Sequence, residues 1–286
     1  MSLETTAPPP AIGADGLIPP QAPPPAAAKP YTLARLAGRI VLGIWLAAGI
    51  GMVLMVVEGW DPAKFATYGP RLLSGLGVTL GLVAASISIG ALLSLPIAAG
   101  RMAKNRLAAG AAYLYVYAFR GTPLIMQLFL IYYGLGSFRP QLQDLGLWWF
   151  FRDAWNCALF AFTLNTAAYQ AEILRGAIES VPRGQREGAA ALGLPQRIAF
   201  FKVILPQAMI VALRPYGNEI ILMIKGSAIV AIVTVFDLMG ETRRAFSRTF
   251  DYQMYLWAAV LYLMMVELLR NVWAWLELRL TRHLKR

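Results

Sequence analysis

Long stretches of this sequence exclude charged side chains, and that exclusion limits the chain to one kind of solvent. Residues 36–57, 72–99, 107–136, 154–175, 206–225 and 253–278 form six largely apolar blocks. At 1.5 Å per helical residue, blocks of this length cross about 30 Å of hydrocarbon. Of the 286 residues, 58% are hydrophobic and 14% charged, against about 25% charged in a soluble domain. Within hydrocarbon every backbone polar group must be bonded inside the chain, and a helix achieves this segment by segment. The blocks therefore predict an all-α integral membrane protein of about six helices.

Two blocks carry interruptions. Arg120, Gly121, Thr122 and Pro123 break into the 107–136 block, which predicts a kinked or broken helix there. Residues 226–236 are apolar and β-branched but short, and read either as a re-entrant segment or as the upper part of the preceding helix. Residues 1–30 contain PPP twice and almost no large apolar side chains, too little to bury a core. They also lack the basic start and apolar stretch of a secretory signal. The expected organisation is a disordered Pro/Ala-rich tail over 1–35, an N-terminal span over 36–57, a membrane domain over 68–280 and a basic tail over 281–286.

The formal net charge of +11 would suit a nucleic-acid binder, yet the basic residues sit at the ends of apolar spans, where they set orientation. With the N-terminus inside, fifteen Lys and Arg fall on inner segments, including Arg101, Lys104, Arg106, Arg183, Arg186 and Arg197. Seven fall outside: Lys64, Arg71, Arg139, Arg152, Arg243, Arg244 and Arg248. Both termini are expected in the cytoplasm, and no nucleic-acid partner is expected. A single cysteine, Cys157, excludes an intrachain disulfide and a Cys-based zinc cluster. The aromatic run Trp148, Trp149, Phe150, Phe151 and Trp155 reads as an outer interfacial belt.

Between two of the spans lies a polar, basic loop, residues 182–205, divided by Pro182, Pro195 and Pro206. Each piece has room for two to three helical turns. Gly193 stands where a helix C-terminus needs a left-handed residue, and Pro206 suits the first turn of the next helix. Gly188, Ala189, Ala190, Ala191 and Leu192 would present a small, shallow face that a partner's groove can approach closely, with Glu187 at its rim. An amphipathic helix lying on lipid explains the basic residues and Phe200 equally well. Local chemistry leaves both readings open.

The loop resembles the cytoplasmic loop of ABC importer permeases, with its Glu-Ala-Ala, a Gly six residues after the Glu, and a later Ile-x-Leu-Pro. Glu187, Ala189, Gly193, Leu205 and Pro206 match, while Gly188 and Val203 replace an Ala and the Ile. The resemblance extends over about residues 68–280. RGTPLIMQLFLIYYGLG (Arg120–Gly136) and AAYQAEILRGAIESVPRGQ (Ala167–Gln185) are similar to the polar amino acid branch, and Arg214–Gly240 to members serving histidine, basic amino acids or opines. It implies a type I importer transmembrane domain in a bacterial inner membrane working by alternating access. It also implies ATPase subunits docked through Glu187, Gly188, Ala189, Ala190, Gly193, Leu205 and Pro206, with ATP and Mg held by them. A periplasmic substrate-binding protein and a second permease, a heterodimer rather than a homodimer, complete the implied assembly, and residues 36–57 are then an additional span.

Charged and polar groups inside spans mark candidate substrate contacts. Arg120, Gly121, Thr122, Pro123, Asn218, Glu219 and Lys225 form that set. Glu219 lies about 20 Å along a helix from Pro206, near mid-bilayer, where a carboxylate attracts a cationic side chain. Arg120 or Lys225 would take a substrate carboxylate. The plainer alternative is internal ion pairing, Glu219 with Lys225 or Glu172 with Arg175.

No GxxxxGK[ST] occurs, so ATP hydrolysis and its cofactors are expected only in a partner. A secondary transporter is the first rival, although no inverted repeat is visible. A membrane-embedded enzyme is the second, although no span holds a histidine or a defensible dyad.

Overall fold

The computed structural model describes residues 33–282, and no strand occurs among them. The described residues divide into two units between Val53 and Leu54. Helix α1, Leu33–Glu58, begins three residues before the expected span and buries none of its side chains. Its start therefore lies within the segment assigned from sequence to the tail, whose remaining residues fall outside the described ones.

The second unit is a helical bundle. Asp61 caps α2 (Pro62–Arg101) by accepting from the Ala63 and Lys64 amides, with Pro62 in the first turn where its missing N–H costs nothing. Asn105 caps α3 (Arg106–Gly121) in the same way. Helix α4 (Leu124–Phe129) widens into a π turn over Leu130–Gly134 and lies at 104° to α3. Short helices α5 (Arg139–Asp144) and α6 (Trp148–Phe151) lead to α7 (Ala154–Ser180), capped by Asp153. Helix α8 (Arg183–Ala191) and the short α9 (Gln196–Ile198) follow. Next come α10 (Leu205–Ser227), α11 (Leu238–Thr249) and α12 (Gln253–Leu280).

The spine of the bundle is α2 against α7. Leu72, Gly75, Thr79, Leu82, Val83, Ser86, Gly90, Ser94 and Ala98 recur every three to four residues and make one buried stripe on α2. Lipid supplies no hydrophobic drive between helices, so association depends on close packing of small side chains and on polar contacts. Gly90 shows how close: a Cβ there would stand 2.5 Å from Thr166 Cγ2. On α7, Phe162 and the alanines at 158, 161, 167, 168 and 171 are fully enclosed.

Among the described residues, four helical runs, α1, α2, Gln196–Val233 and α12, are long and apolar enough to cross a membrane, and the bent α3–α4 pair makes a fifth. Helix α7 covers the expected span at 154–175 and has 27 residues. Its Asn165, Thr166, Gln170, Glu172 and Arg175 keep its composition more polar, which its enclosure by other helices permits.

One boundary differs from the sequence reading. Pro206 lies in the first turn of α10 as expected, but α10 does not begin a separate helix: the run is continuous from Gln196 to Val233. Proline in a helix collides with the carbonyl four residues earlier. Here the turn ahead of it, Ala199–Ile204, widens to a π helix, and the widened turn makes room for Pro206 without ending the helix. Residues 228–233 continue as a 3-10 turn, so this apolar stretch is the upper part of the preceding helix.

Candidate functional site: the α8 loop and the polar seam above it

Helix α8 joins α7 to the long Gln196–Val233 helix. Pro182 stands just ahead of its first residue, and Gly193, at φ +68°, follows its C-cap. The Leu194 amide donates to Ala189 O at 3.1 Å and the Gly193 amide to Ala190 O at 2.9 Å. This six-to-one, five-to-two pair is a Schellman stop, which needs the left-handed residue that Gly193 supplies.

Of the coupling candidates, Glu187, Gly188, Ala190 and Gly193 are exposed on the outer side of α8, and Leu192 stands 79% exposed beside them. Ala189 departs from the expected face. It is 4% exposed and turned into the protein, because α8 packs on the π turn Ala199–Ile204. Leu205 is half-buried and Pro206 exposed in the following helix. Phe201 is likewise 61% exposed, so Phe200 and Ile204 hold this piece to the body and Phe201 does not. Arg186 Nη2 donates to Ile178 O at 3.0 Å, fastening α8 to the last turns of α7.

Above the loop, Glu172 on α7 collects three arginines. Arg101 Nε, at the end of α2, donates to Oε1 at 2.8 Å, and Arg175 Nη2 donates to Oε2 at 2.8 Å. Arg120 Nη1, in the last turn of α3, lies 3.8 Å from Oε2 and stacks over Tyr169 at 5.0 Å. The Glu172–Arg175 ion pair considered from sequence is therefore present, within a larger cluster. Arg120, Tyr169, Glu172 and Pro215 line a cleft of about 350 Å³.

Glu219 behaves differently. It is 5% exposed and accepts from Thr166 Oγ1 at 3.0 Å, while Gln170 Nε2 donates to the same threonine oxygen at 3.1 Å. The alternative Glu219–Lys225 pair does not form. Six residues turn a helix through about 600°, leaving the two side chains about 120° apart, and Lys225 is exposed. Asn218 is exposed as well. The pathway candidates thus separate: Arg120 joins Glu172 at the cleft, Glu219 faces α7, and Asn218 and Lys225 point outward.

Gly121, Thr122 and Pro123 do break the helix as expected, and the backbone groups freed there are taken up by side chains. Gln127 Nε2 donates to Phe119 O at 2.8 Å and Thr122 O at 3.1 Å, and Asn165 Nδ2 donates to Phe119 O at 3.1 Å. The break is closed from inside by two amides.

Sequence reasoning missed Arg101, counted only for its charge at a helix end, and Asp237. The latter is fully buried and caps α11 by accepting from the Gly240 amide at 2.8 Å. Its sequence signal is an Asp placed directly before a new helical segment.

Residues 77–282 match the family described as binding-protein-dependent transport system inner membrane component. The chain belongs to this family. The permease is 42% identical over 195 residues to the nopaline transport system permease protein of Agrobacterium fabrum, covering 68% of this chain and 81% of that one. It is 37% identical over 235 residues to the histidine/lysine/arginine/ornithine transport system permease protein of Escherichia coli, covering 82% and 98%. A crystal structure of an amino acid ABC transporter with histidines superposes at TM-score 0.69 and 34% identity, covering 77% of the permease and 99% of that chain. The type I importer fold expected from the sequence is thereby established.

Proposed function

We propose that this permease forms half of the translocation path of an ATP-driven importer for a polar, basic amino acid or a related opine, coupled to ATPase subunits through residues 182–205. The single observation that carries the reading is α8 itself. A short, rigidly capped helix presents a small exposed face outside the bundle and is fastened to α7 by Arg186. Relatives named for nopaline and for histidine, lysine, arginine and ornithine support the substrate class. Glu219, buried among helices and in no ion pair within 4 Å among the described residues, supports a cationic substrate.

On this reading residues 68–280 are the permease body, α1 is an additional span and both termini lie in the cytoplasm. ATP and Mg belong to the ATPase subunits, a periplasmic binding protein delivers the substrate, and a second, different permease completes the path. The test is co-purification from native membranes in mild detergent, wild type beside Gly193→Asp. Nothing lies within 4 Å of a Cβ at Gly193, so the substitution acts through the left-handed backbone and the new charge on the docking face. An ATPase subunit accompanies the wild type and is depleted from the variant, while the membrane chain stays folded. Wild-type complexes without any nucleotide-binding protein would remove the proposal.

A further inference from the structure

Glu172 is held far more elaborately than a helix-to-helix ion pair requires. Its side chain is 13% exposed and engages guanidinium groups from the end of α2, the end of α3 and α7 itself. Gathering three like charges around one carboxylate costs mutual repulsion and desolvation, so such a cluster is a poor device for stability alone.

The three contacts are unequal. Arg101 and Arg175 approach to 2.8 Å with side chains 18% and 27% exposed. Arg120 stays at 3.8 Å, 43% exposed, on the wall of the cleft and one residue before the Gly121–Pro123 break. Two spokes are tight and one is loose, and the loose spoke belongs to the helix with the 104° bend.

The cluster also continues toward α8. Arg175 Nη1 donates to Glu179 at 2.6 Å, and Arg186 of α8 donates to Ile178 O. Glu172 stands eight residues, about 12 Å of helix, from the end of α7. A displacement of α8 is therefore delivered to the last turns of α7 and, through one carboxylate, to the ends of α2 and α3.

Resting on the proposed function, we infer that Glu172 is a positioning residue that couples α8 to the path-forming helices: it makes α2 follow α7 and lets α3 exchange its contact at the cleft. The role lies in transmission. Docking of the ATPase and contact with the substrate belong to other residues.

The complex with its co-purified ATPase and binding protein, reconstituted in proteoliposomes, is assayed for radiolabelled arginine uptake and ATP hydrolysis in parallel. Glu172→Gln keeps the ATPase bound and hydrolysing but lowers arginine transported per ATP by about tenfold, within the span typical of coupling between sites. Glu172→Asp recovers part of that ratio. Arg101→Gln, which leaves the Arg175 contact in place, gives a smaller loss and decides the matter if Glu172→Gln does not assemble. The Glu172→Gln/Arg101→Gln pair is non-additive, as groups sharing one network are. An unchanged ratio in these variants overturns the inference, as does an equal fall of hydrolysis and transport at unchanged complex yield. Wild-type complex lacking ATP-driven uptake would instead refute the proposed function.

Discussion

Asn165 Nδ2 donates to Gln127 Oε1 at 3.0 Å, and between them the two amides take up the Phe119 and Thr122 carbonyls freed where α3 breaks. The break is thus a built corner. Replacing Asn165 by Leu leaves Phe119 O with one donor fewer and Gln127 Oε1 unpaired. The expected cost is about 1 kcal/mol, between the average of roughly 0.6 kcal/mol for interhelical polar contacts in membranes and the penalty for a buried unsatisfied group. A thermal-unfolding comparison in detergent checks it, and the Asn165→Leu/Gln127→Leu pair is non-additive.

The Schellman stop of α8 orders substitutions at Gly193. Asn tolerates the left-handed region, Ala costs about 1–2 kcal/mol there, and a β-branched residue more. ATPase retention on pull-down falls from wild type through Gly193→Asn and Gly193→Ala to Gly193→Val. Equal retention by Gly193→Asn and Gly193→Val would mean that the backbone at φ +68° is irrelevant to docking.

Glu219 and Thr166 separate fold from selectivity. Glu219→Gln keeps an oxygen to accept from Thr166, so yield and unfolding temperature change little. Arginine uptake falls by about tenfold or more, the scale of one lost charge-assisted interaction of about 1.4 kcal/mol or greater. Uptake equal to wild type would assign Glu219 to packing.

Lys64 donates to Asp251, joining the start of α2 to the segment before α12, and that bond, ahead of the Gln253 amide, holds the Asp251 carboxyl below the usual carboxylate range. A depressed value stabilises the fold at pH above the unfolded pKa of about 3.9 and loses that stabilisation as pH falls through the lower folded value. The Tm difference between wild type and Asp251→Asn therefore stays constant from neutral pH to about 4 and narrows below it. A difference that narrows already between about pH 7 and 5 would contradict the assignment.

What could be read from the chain followed local rules. Gly193 needed only its position after an Ala-rich turn, and the broken helix needed only Gly-Thr-Pro inside an apolar block. Ala189 turns inward against expectation because the periodicity of a nine-residue helix does not say which side meets its neighbour. Pro206 reads correctly as a first-turn residue of α10, but the π turn that joins α10 to the helical residues before it leaves no mark in composition. The Glu172 cluster could not be read, since Arg101 and Arg120 reach it only through tertiary packing of α2 and α3 on α7. Asp237 is a local cap whose burial comes from Thr79 on α2 and Tyr262 on α12.

The most direct test of the central claim is arginine uptake into proteoliposomes holding the permease with its co-purified ATPase and binding protein, measured with ATP inside and with proton and sodium gradients collapsed. The account requires uptake that depends on ATP and on the ATPase and survives loss of the gradients. Uptake by the isolated chain, driven by an ion gradient and indifferent to ATP, would contradict it and make this protein a secondary transporter.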